Sequence, residues 1–245
     1  MNVIPFPKAK SEWFKINNAA DDTAEVFIYD VVGDSWIGND ASTVVKQINA
    51  ITAKKISLRI NSPGGSVFDG VAIYNALARH PAEVTTYIDG LAASIASVIA
   101  LAGTKVVMAE NAMMMIHNPW TMAMGEATDL RKTADVLDQI KETLINTYAT
   151  CTKKERKEIH KAMDEETWFT ADEALEWGLV TSVEKGVKAA ACVSTETLSA
   201  FGFKKAPESL QSNAATPKAE APKSLSSTPR SLLERKQALI EKTNP

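Results

Sequence analysis

Strand-like and helix-like segments alternate along most of this sequence, and that alternation restricts the fold more than any other feature. Extended apolar runs at Glu25–Asp30, Ile56–Ile60 and Val84–Ile88 are each followed by a segment with helical spacing. Strands separated by crossover helices are typical of α/β proteins with a parallel sheet. We therefore predict an α/β fold, with further strands at Lys105–Met108 and Met113–Ile116.

Composition divides the 245 residues into three parts. Residues 1–22 form an N-terminal extension, and residues 23–200 form a domain of ordinary hydrophobic content. Residues 201–245 form a tail rich in Pro, Ala, Ser, Lys and Thr, which cannot bury enough apolar surface to offset its chain entropy. We expect this low-complexity tail to be disordered, apart from a short terminal helix at Ser231–Ile240.

Charge, cysteine content and hydrophobicity exclude several functions. A formal net charge of -3 gives no electrostatic basis for binding nucleic acid or an anionic membrane. Cys151 and Cys192 supply neither a disulfide framework nor a metal motif. Residues 1–8 lack the continuous apolar core of a signal peptide, and the longest apolar run, Leu91–Ala102, is too short to span a bilayer. We expect a cytoplasmic protein.

An unusually long helix is predicted from about residue 126 to residue 148. Leu130, Leu137 and Leu144 belong to an apolar stripe at three- and four-residue steps, and the other face is charged. Because the helix follows Gly125, we expect it to project as an arm that packs on another surface. Packing within the same subunit is the alternative.

The last structured unit has clear helix boundaries. Thr170–Glu173 has the pattern of a capping box, and Gly178 is a natural C-terminal cap. A closing strand is predicted at Leu179–Val183.

Ser94 is the candidate nucleophile. It follows the small-residue stretch Gly90–Ala93, which leaves room for a substrate carbonyl, and it opens a predicted helix. A serine hydroxyl needs a general base to react near neutral pH. The unsatisfied N–H of Ile95 at the helix start could stabilise an oxyanion. Taken alone, Ser94 is better explained as a helix N-cap.

A glycine pair lies upstream, in the segment Asn61–Ser66. Gly64 and Gly65 have no side chains, so their backbone could come close to a substrate and aim a second N–H at it. A plain turn after a strand uses the same residues.

His117 is the best candidate for the general base among three histidines. It follows the predicted strand Met113–Ile116, and functional sites are often built at strand ends. His80 ends a helix before a proline, and His160 lies in a charged stretch. A hydrogen-bonded structural histidine remains the alternative for His117.

A third residue must orient the histidine. Asp164, Glu165 and Glu166 are candidates, but three consecutive acids are more often a solvated surface. Periodicity does not choose among them.

Together these segments resemble a known family, the proteolytic subunit of the Clp protease. The signature segments are Ile60–Gly65, Gly90–Ser94 and Met115–Pro119, and the resemblance covers about Glu25 to Val183. In detail the chain is most similar to the head-maturation (prohead) proteases of tailed phages and prophages. That closer similarity lies in Val67–Asn75, His117–Trp120 and Glu166–Ala171.

The resemblance implies a role for each candidate residue. Ser94 is the implied nucleophile and His117 the implied base, with oxyanion donors from the N–H groups of Gly65 and Ile95.

The implied third member of the triad departs from the family. The family has an aspartate two residues before an aromatic residue. Here Trp168 is that aromatic residue, and Glu166 takes the acid position. Asp164 is the fallback.

The resemblance also implies an architecture. It predicts the ββα superhelix shared with crotonases, and stacked rings of subunits joined through the long helix, or handle. The segment Trp120–Gly125 would help to bind substrate and to contact the neighbouring ring. No cofactor or metal is implied. Residues 1–22 do not match the region that docks an ATPase ring in the family, so we expect ATP-independent hydrolysis.

The predicted function is therefore a serine endopeptidase that processes phage scaffold or capsid proteins during head maturation. Three alternatives are a crotonase-type acyl-CoA enzyme, a non-catalytic capsid-assembly module, and a housekeeping subunit that works with a Clp ATPase.

Overall fold

A computed structural model describes residues 13–18, 22–33, 41–186, 201–207 and 210, all within one compact unit, Met1–Ala214. The strands are β1 Phe14–Asn18, β2 Thr23–Tyr29, β3 Lys55–Ser62, β4 Glu83–Ala93, β5 Lys105–Ala109, β6 Met113–Ile116, β7 Thr167–Phe169 and β8 Ser182–Glu184. The helices are α1 Ala41–Asn49, α2 Val67–Ala78, α3 Ile95–Ala100, α4 Ala127–Thr152, α5 Arg156–Asp164 and α6 Ala171–Trp177. The predicted terminal helix at Ser231–Ile240 and most of the N-terminal extension lie outside the described residues.

The strands form one mixed sheet. Its order is β1-β2-β3-β4-β5-β8, and β6 pairs with both β4 and β7. The pairs from β2 to β5 are parallel, as crossover helices require, whereas β1 and β7 pair in the antiparallel sense. The predicted α/β class is confirmed.

Strand β4 changes partners along its length, and this change shapes the site. Its first half, Thr85–Ile88, pairs with β5. Its second half, Leu91–Ala93, pairs in parallel with Met113–Met115 of β6. The ends of β4 and β6 therefore lie side by side, with the residues that follow each strand at the same edge of the sheet.

Three elements were missing from the sequence interpretation: β1, α5 and β7. Helix α5 falls in the charged stretch that contains His160. It nevertheless buries Ile159 and Met163, while Glu155 and Glu158 form a capping box at its start. Two apolar residues four apart are enough to dock a short helix whose other positions are charged.

The long helix α4 projects as predicted over its first part. Its N-terminal half is mostly exposed, including Leu130 and Val136. Its C-terminal part buries Leu144, Ile145 and Tyr148 against the domain. Among the described helices, none combines the length and the apolar character needed to cross a membrane.

Residues just beyond position 200 pack against the domain. Phe201 is 4% exposed and belongs to the main hydrophobic core, and Phe203 lies against the same core. The predicted boundary between a domain ending at residue 200 and a tail of residues 201–245 stays a prediction.

Candidate active site

Ser94 sits on a tight turn between β4 and α3. Its backbone N–H donates to the Met115 carbonyl oxygen (3.0 Å), which continues the pairing of β4 with β6. Its φ angle is 54°, a conformation that non-glycine residues rarely adopt. Such strain persists only where the surrounding structure enforces it, and it is common at functional sites.

His117 follows β6 directly, so the strand pairing brings it to Ser94. Its Nε2 lies 2.8 Å from Ser94 Oγ, within hydrogen-bond distance. Ser94 occupies the N-cap position of α3, but its side chain makes no capping hydrogen bond. Ser94 therefore starts the helix, as the sequence predicted, but its side chain does not cap it, because the hydroxyl faces the histidine.

Burial controls the protonation of His117. Desolvation lowers its pKa from 6.5 to about 4, and the negative charge of Glu166 opposes part of that shift. The imidazole is consequently neutral near pH 7. A neutral ring nitrogen beside a serine hydroxyl can accept its proton.

The two candidate acids occupy different environments. The carboxylate of Glu166 accepts hydrogen bonds from Trp168 Nε1 (3.2 Å) and from the backbone N–H groups of Lys204 (2.8 Å) and Lys205 (2.7 Å). Among the described residues, no hydrogen bond joins His117 to Glu166. The charge of Glu166 nevertheless acts on the His117 pKa.

Asp164 is engaged elsewhere. Its Oδ1 accepts from Asn118 Nδ2 (2.9 Å) and pairs with Lys141 Nζ. These contacts hold the pKa of the Asp164 carboxyl below its usual range. In the described part of the chain, Asp164 likewise has no hydrogen bond to His117.

The glycine pair lies against the nucleophile. A Cβ atom on Gly64 would lie 2.7 Å from Ser94 Cβ, and one on Gly65 would overlap the backbone of Val32. Both have positive φ angles, 99° and 151°. Only glycine fits so close an approach at these angles.

Hydrogen bonds with Val32 fix this loop. The Val32 N–H donates to the Gly64 carbonyl oxygen (2.8 Å), and the Ser66 N–H donates to the Val32 carbonyl oxygen (3.0 Å). Ile95, the other predicted oxyanion donor, is the first residue of α3, where N–H groups have no acceptor within the helix. The oxyanion roles of Gly65 and Ile95 stay predictions.

Two polar residues that sequence reasoning did not assign tie the glycine loop to its neighbours. The buried Ser62 hydroxyl donates to the Asp30 carbonyl oxygen (2.6 Å) and accepts from the Gly64 N–H (3.1 Å). Asn61 Oδ1 accepts from the Leu91 N–H (3.1 Å). The sequence signal that could have identified both residues is their polar character at the end of an apolar strand.

A serine on a strained turn, hydrogen-bonded to a partly buried neutral histidine beside a glycine loop, is the arrangement expected of a serine hydrolase site. The family model described as Clp protease matches residues 8–186. The chain belongs to the Clp protease family, and it is a serine-type protease rather than an acyl-CoA enzyme.

Named relatives agree with this membership. The ATP-dependent Clp protease proteolytic subunit 1 of Protochlamydia amoebophila is 34% identical over 177 residues, covering 69% of this chain and 84% of the relative. The ATP-dependent Clp protease proteolytic subunit of Porphyromonas gingivalis is 36% identical over 137 residues, covering 55% and 62%. Subunit 1 of Mycobacterium leprae is 35% identical over 158 residues, covering 62% and 79%.

Proposed function

We propose that this protein is an endopeptidase in which Ser94 and His117 cleave the peptide bond and Glu166 stabilises the charged histidine. The observation that carries this proposal is the 2.8 Å contact between His117 Nε2 and Ser94 Oγ. That contact lies within the range needed for proton transfer from a nucleophile to its base.

The reaction proceeds through an acyl-enzyme. Ser94 Oγ attacks the scissile carbonyl carbon while His117 Nε2 takes the hydroxyl proton. The N–H groups of Gly65 and Ile95 stabilise the oxyanion that forms. His117 then gives its proton to the leaving amine as the C–N bond breaks. Water, activated by the same histidine, releases the acyl group and restores the Ser94 hydroxyl.

Glu166 acts through its charge. Its carboxylate favours the imidazolium form of His117, and that form exists only during the reaction because burial keeps the resting imidazole neutral. The charge therefore stabilises the transition state more than the resting state, as catalysis requires.

A fluorophosphonate probe tests the nucleophile. Labelling of the wild-type protein should map to Ser94 and should disappear in Ser94→Ala. Ser57→Ala is the matched control, because Ser57 lies within strand β3, away from the site. Peptide hydrolysis should follow the same pattern, with unchanged assembly size in both variants. Labelling that survives in Ser94→Ala would exclude this mechanism.

We also propose a substrate, an assembly and a compartment for this protein. The motifs shared with phage head-maturation proteases support processing of capsid or scaffold proteins in the cytoplasm, without ATP. The exposed apolar residues Met122, Met124 and Leu130, on α4 and the segment before it, support assembly into stacked rings.

Partnership with a Clp ATPase is the second candidate, favoured by the names of the relatives, which are ATP-dependent proteases. Incubation with a folded capsid precursor, with and without a Clp ATPase and ATP, separates the two. Cleavage by the protein alone supports head maturation. Cleavage only with ATPase and ATP supports the second candidate.

A further inference from the structure

The segment Phe201–Lys205, hereafter the C-terminal clasp, packs beside His117 and Glu166. We propose that the clasp is a positioning element of the active site: Phe203 packs on the His117 ring, and the backbone N–H groups of Lys204 and Lys205 hold the Glu166 carboxylate. This inference rests on the proposed function, because it assigns the clasp to the same reaction.

Phe203 is the apolar half of the clasp. Its ring meets the His117 ring edge to face, with centroids 5.5 Å apart, and meets the Trp168 ring in the same way at 5.6 Å. It also stacks on Phe201, which is anchored in the main core. The edge-to-face contact with His117 limits how the imidazole can turn, and the contact with Trp168 holds the Phe203 ring in place. Phe203 therefore supports the orientation in which Nε2 faces Ser94.

The backbone of the clasp is its polar half. Glu166 Oε2 accepts from the Lys204 N–H and Oε1 from the Lys205 N–H, while Trp168 Nε1 also donates to Oε1. Hydrogen bonds to a charged acceptor are the strong ones. Glu166 also has a φ angle of 51°, so its backbone is held in a strained conformation. Three donors thus fix the carboxylate whose charge acts on His117.

The contacts favour a positioning role over a blocking one. Within the described part of the chain, no clasp residue hydrogen-bonds to Ser94 or to the glycine pair. The contact between His117 and Ser94 is present with the clasp in place. The clasp contacts the histidine ring and the acid, and the hydrogen bond between His117 and Ser94 forms beside it.

Two electrostatic effects on His117 depend on the clasp. Phe203 contributes to the burial that lowers the pKa of His117, and the clasp N–H groups hold Glu166, whose charge raises that pKa. The Asp164–Lys141 ion pair also lies on this side of the histidine, since Asp164 accepts a hydrogen bond from Asn118, the residue after His117. The lysine residues of the clasp itself are exposed.

Proline substitution in the full-length protein tests the polar half. Lys205→Pro removes the N–H that donates to Glu166, whereas Lys205→Ala keeps that N–H and removes only the side chain. We expect kcat of Lys205→Pro to be about tenfold or more below that of Lys205→Ala, with little difference in KM between the two variants. Equal kcat values for the two variants would overturn this half of the proposal.

Substitution of Phe203 tests the apolar half through the titration of His117, measured by NMR on histidine-labelled protein. In Phe203→Ala the pKa of His117 should rise towards 6.5, and kcat should fall. Phe203→Leu should restore much of both values by refilling the space. Phe27→Ala is the matched control, since Phe27 is also half-buried and packs against an aromatic ring, Tyr29, but lies on β2.

The outcomes distinguish a failure of the clasp proposal from a failure of the proposed function. Faster hydrolysis in Phe203→Ala or Lys205→Pro would mean that the clasp inhibits, and it would overturn the proposal. An unchanged His117 titration in Phe203→Ala would also overturn it. If the wild-type Ser94 resists fluorophosphonate, the proposed mechanism fails, while the NMR titration still reports whether Phe203 controls the environment of His117.

Discussion

The hydroxyl oxygens of Ser97 and Tyr148 lie 2.7 Å apart and are buried below the turn that carries Ser94. Ser97 Oγ also lies 2.6 Å from the Ser94 carbonyl oxygen, which can only accept. The single proton of Ser97 therefore goes to that carbonyl, and Tyr148 donates to Ser97. Burial raises the pKa of Tyr148, so it remains a neutral donor. A polar chain thus links α4 to the backbone of the nucleophile.

Tyr148→Phe should destabilise the protein by about 1 kcal/mol, because it leaves the buried Ser97 oxygen without its donor. Urea unfolding measures the change. Tyr87→Phe is the control, because phenylalanine preserves the ring over which Arg59 lies. Adding Ser97→Ala to Tyr148→Phe should cost less than the sum of the single changes. Wild-type stability in Tyr148→Phe would contradict the assigned chain of donors.

A second prediction distinguishes Glu166 from Asp164 as the triad acid. Glu166→Gln should lower kcat by about 10²-fold or more, since it removes the negative charge that favours the imidazolium form of His117. Asp164→Asn should lower it only a few-fold, because that carboxylate is engaged by Lys141 and Asn118. Steady-state peptide hydrolysis by the two isosteric variants measures the difference. A larger loss in Asp164→Asn would reverse the assignment.

Sequence patterns were most informative where local chemistry decides the structure. The Thr170–Glu173 capping box and the left-handed C-cap Gly178 of α6 were both predicted and are both present. The core strands were also found, because Ile28, Ile60 and Ile88 belong to segments in which every second side chain is buried.

The elements and site contacts that the sequence did not predict depend on contacts between distant segments. Strand β1 is held by pairing with β2, and β7 is a three-residue strand held by pairing with β6, so neither has a strong local pattern. The contact of Phe203 with His117 joins residues 86 positions apart in the sequence, and no local periodicity predicts it. The choice between Glu166 and Asp164 has the same origin, since their partners lie on other elements.

A third prediction follows from the close contact between Gly65 and the Val32 backbone. Gly65→Ala should lower the free energy of unfolding and abolish peptide hydrolysis, because its Cβ would overlap the Val32 backbone and displace the loop beside Ser94. Gly202→Ala separates crowding from backbone strain: its φ is also positive, 66°, but a Cβ there meets no atom within 4 Å. Thermal unfolding should show a larger loss in Gly65→Ala than in Gly202→Ala. Equal losses would mean that strain alone matters.

The desolvation of His117 leads to a prediction about activity at low pH. Catalysis needs neutral His117, whose pKa is lowered to about 4. The acid limb of kcat/KM should therefore have its midpoint near pH 4, well below the ordinary histidine value of 6.5. In Glu166→Gln the midpoint should move lower still, because a charge that raises the pKa is gone. A wild-type midpoint near 6.5 would contradict the burial argument.

The same histidine links stability to pH. Between pH 6.5 and about 4 the unfolded chain binds a proton at His117 that the folded protein does not. Its contribution to stability is therefore fully present above pH 6.5 and is lost as the pH falls towards 4, in total roughly 3 kcal/mol. Urea unfolding of the wild type and His117→Gln at pH 7 and pH 5 isolates this effect from other titrating groups. The wild type should lose more stability on acidification than His117→Gln, and parallel losses would show that His117 is already solvated in the folded state.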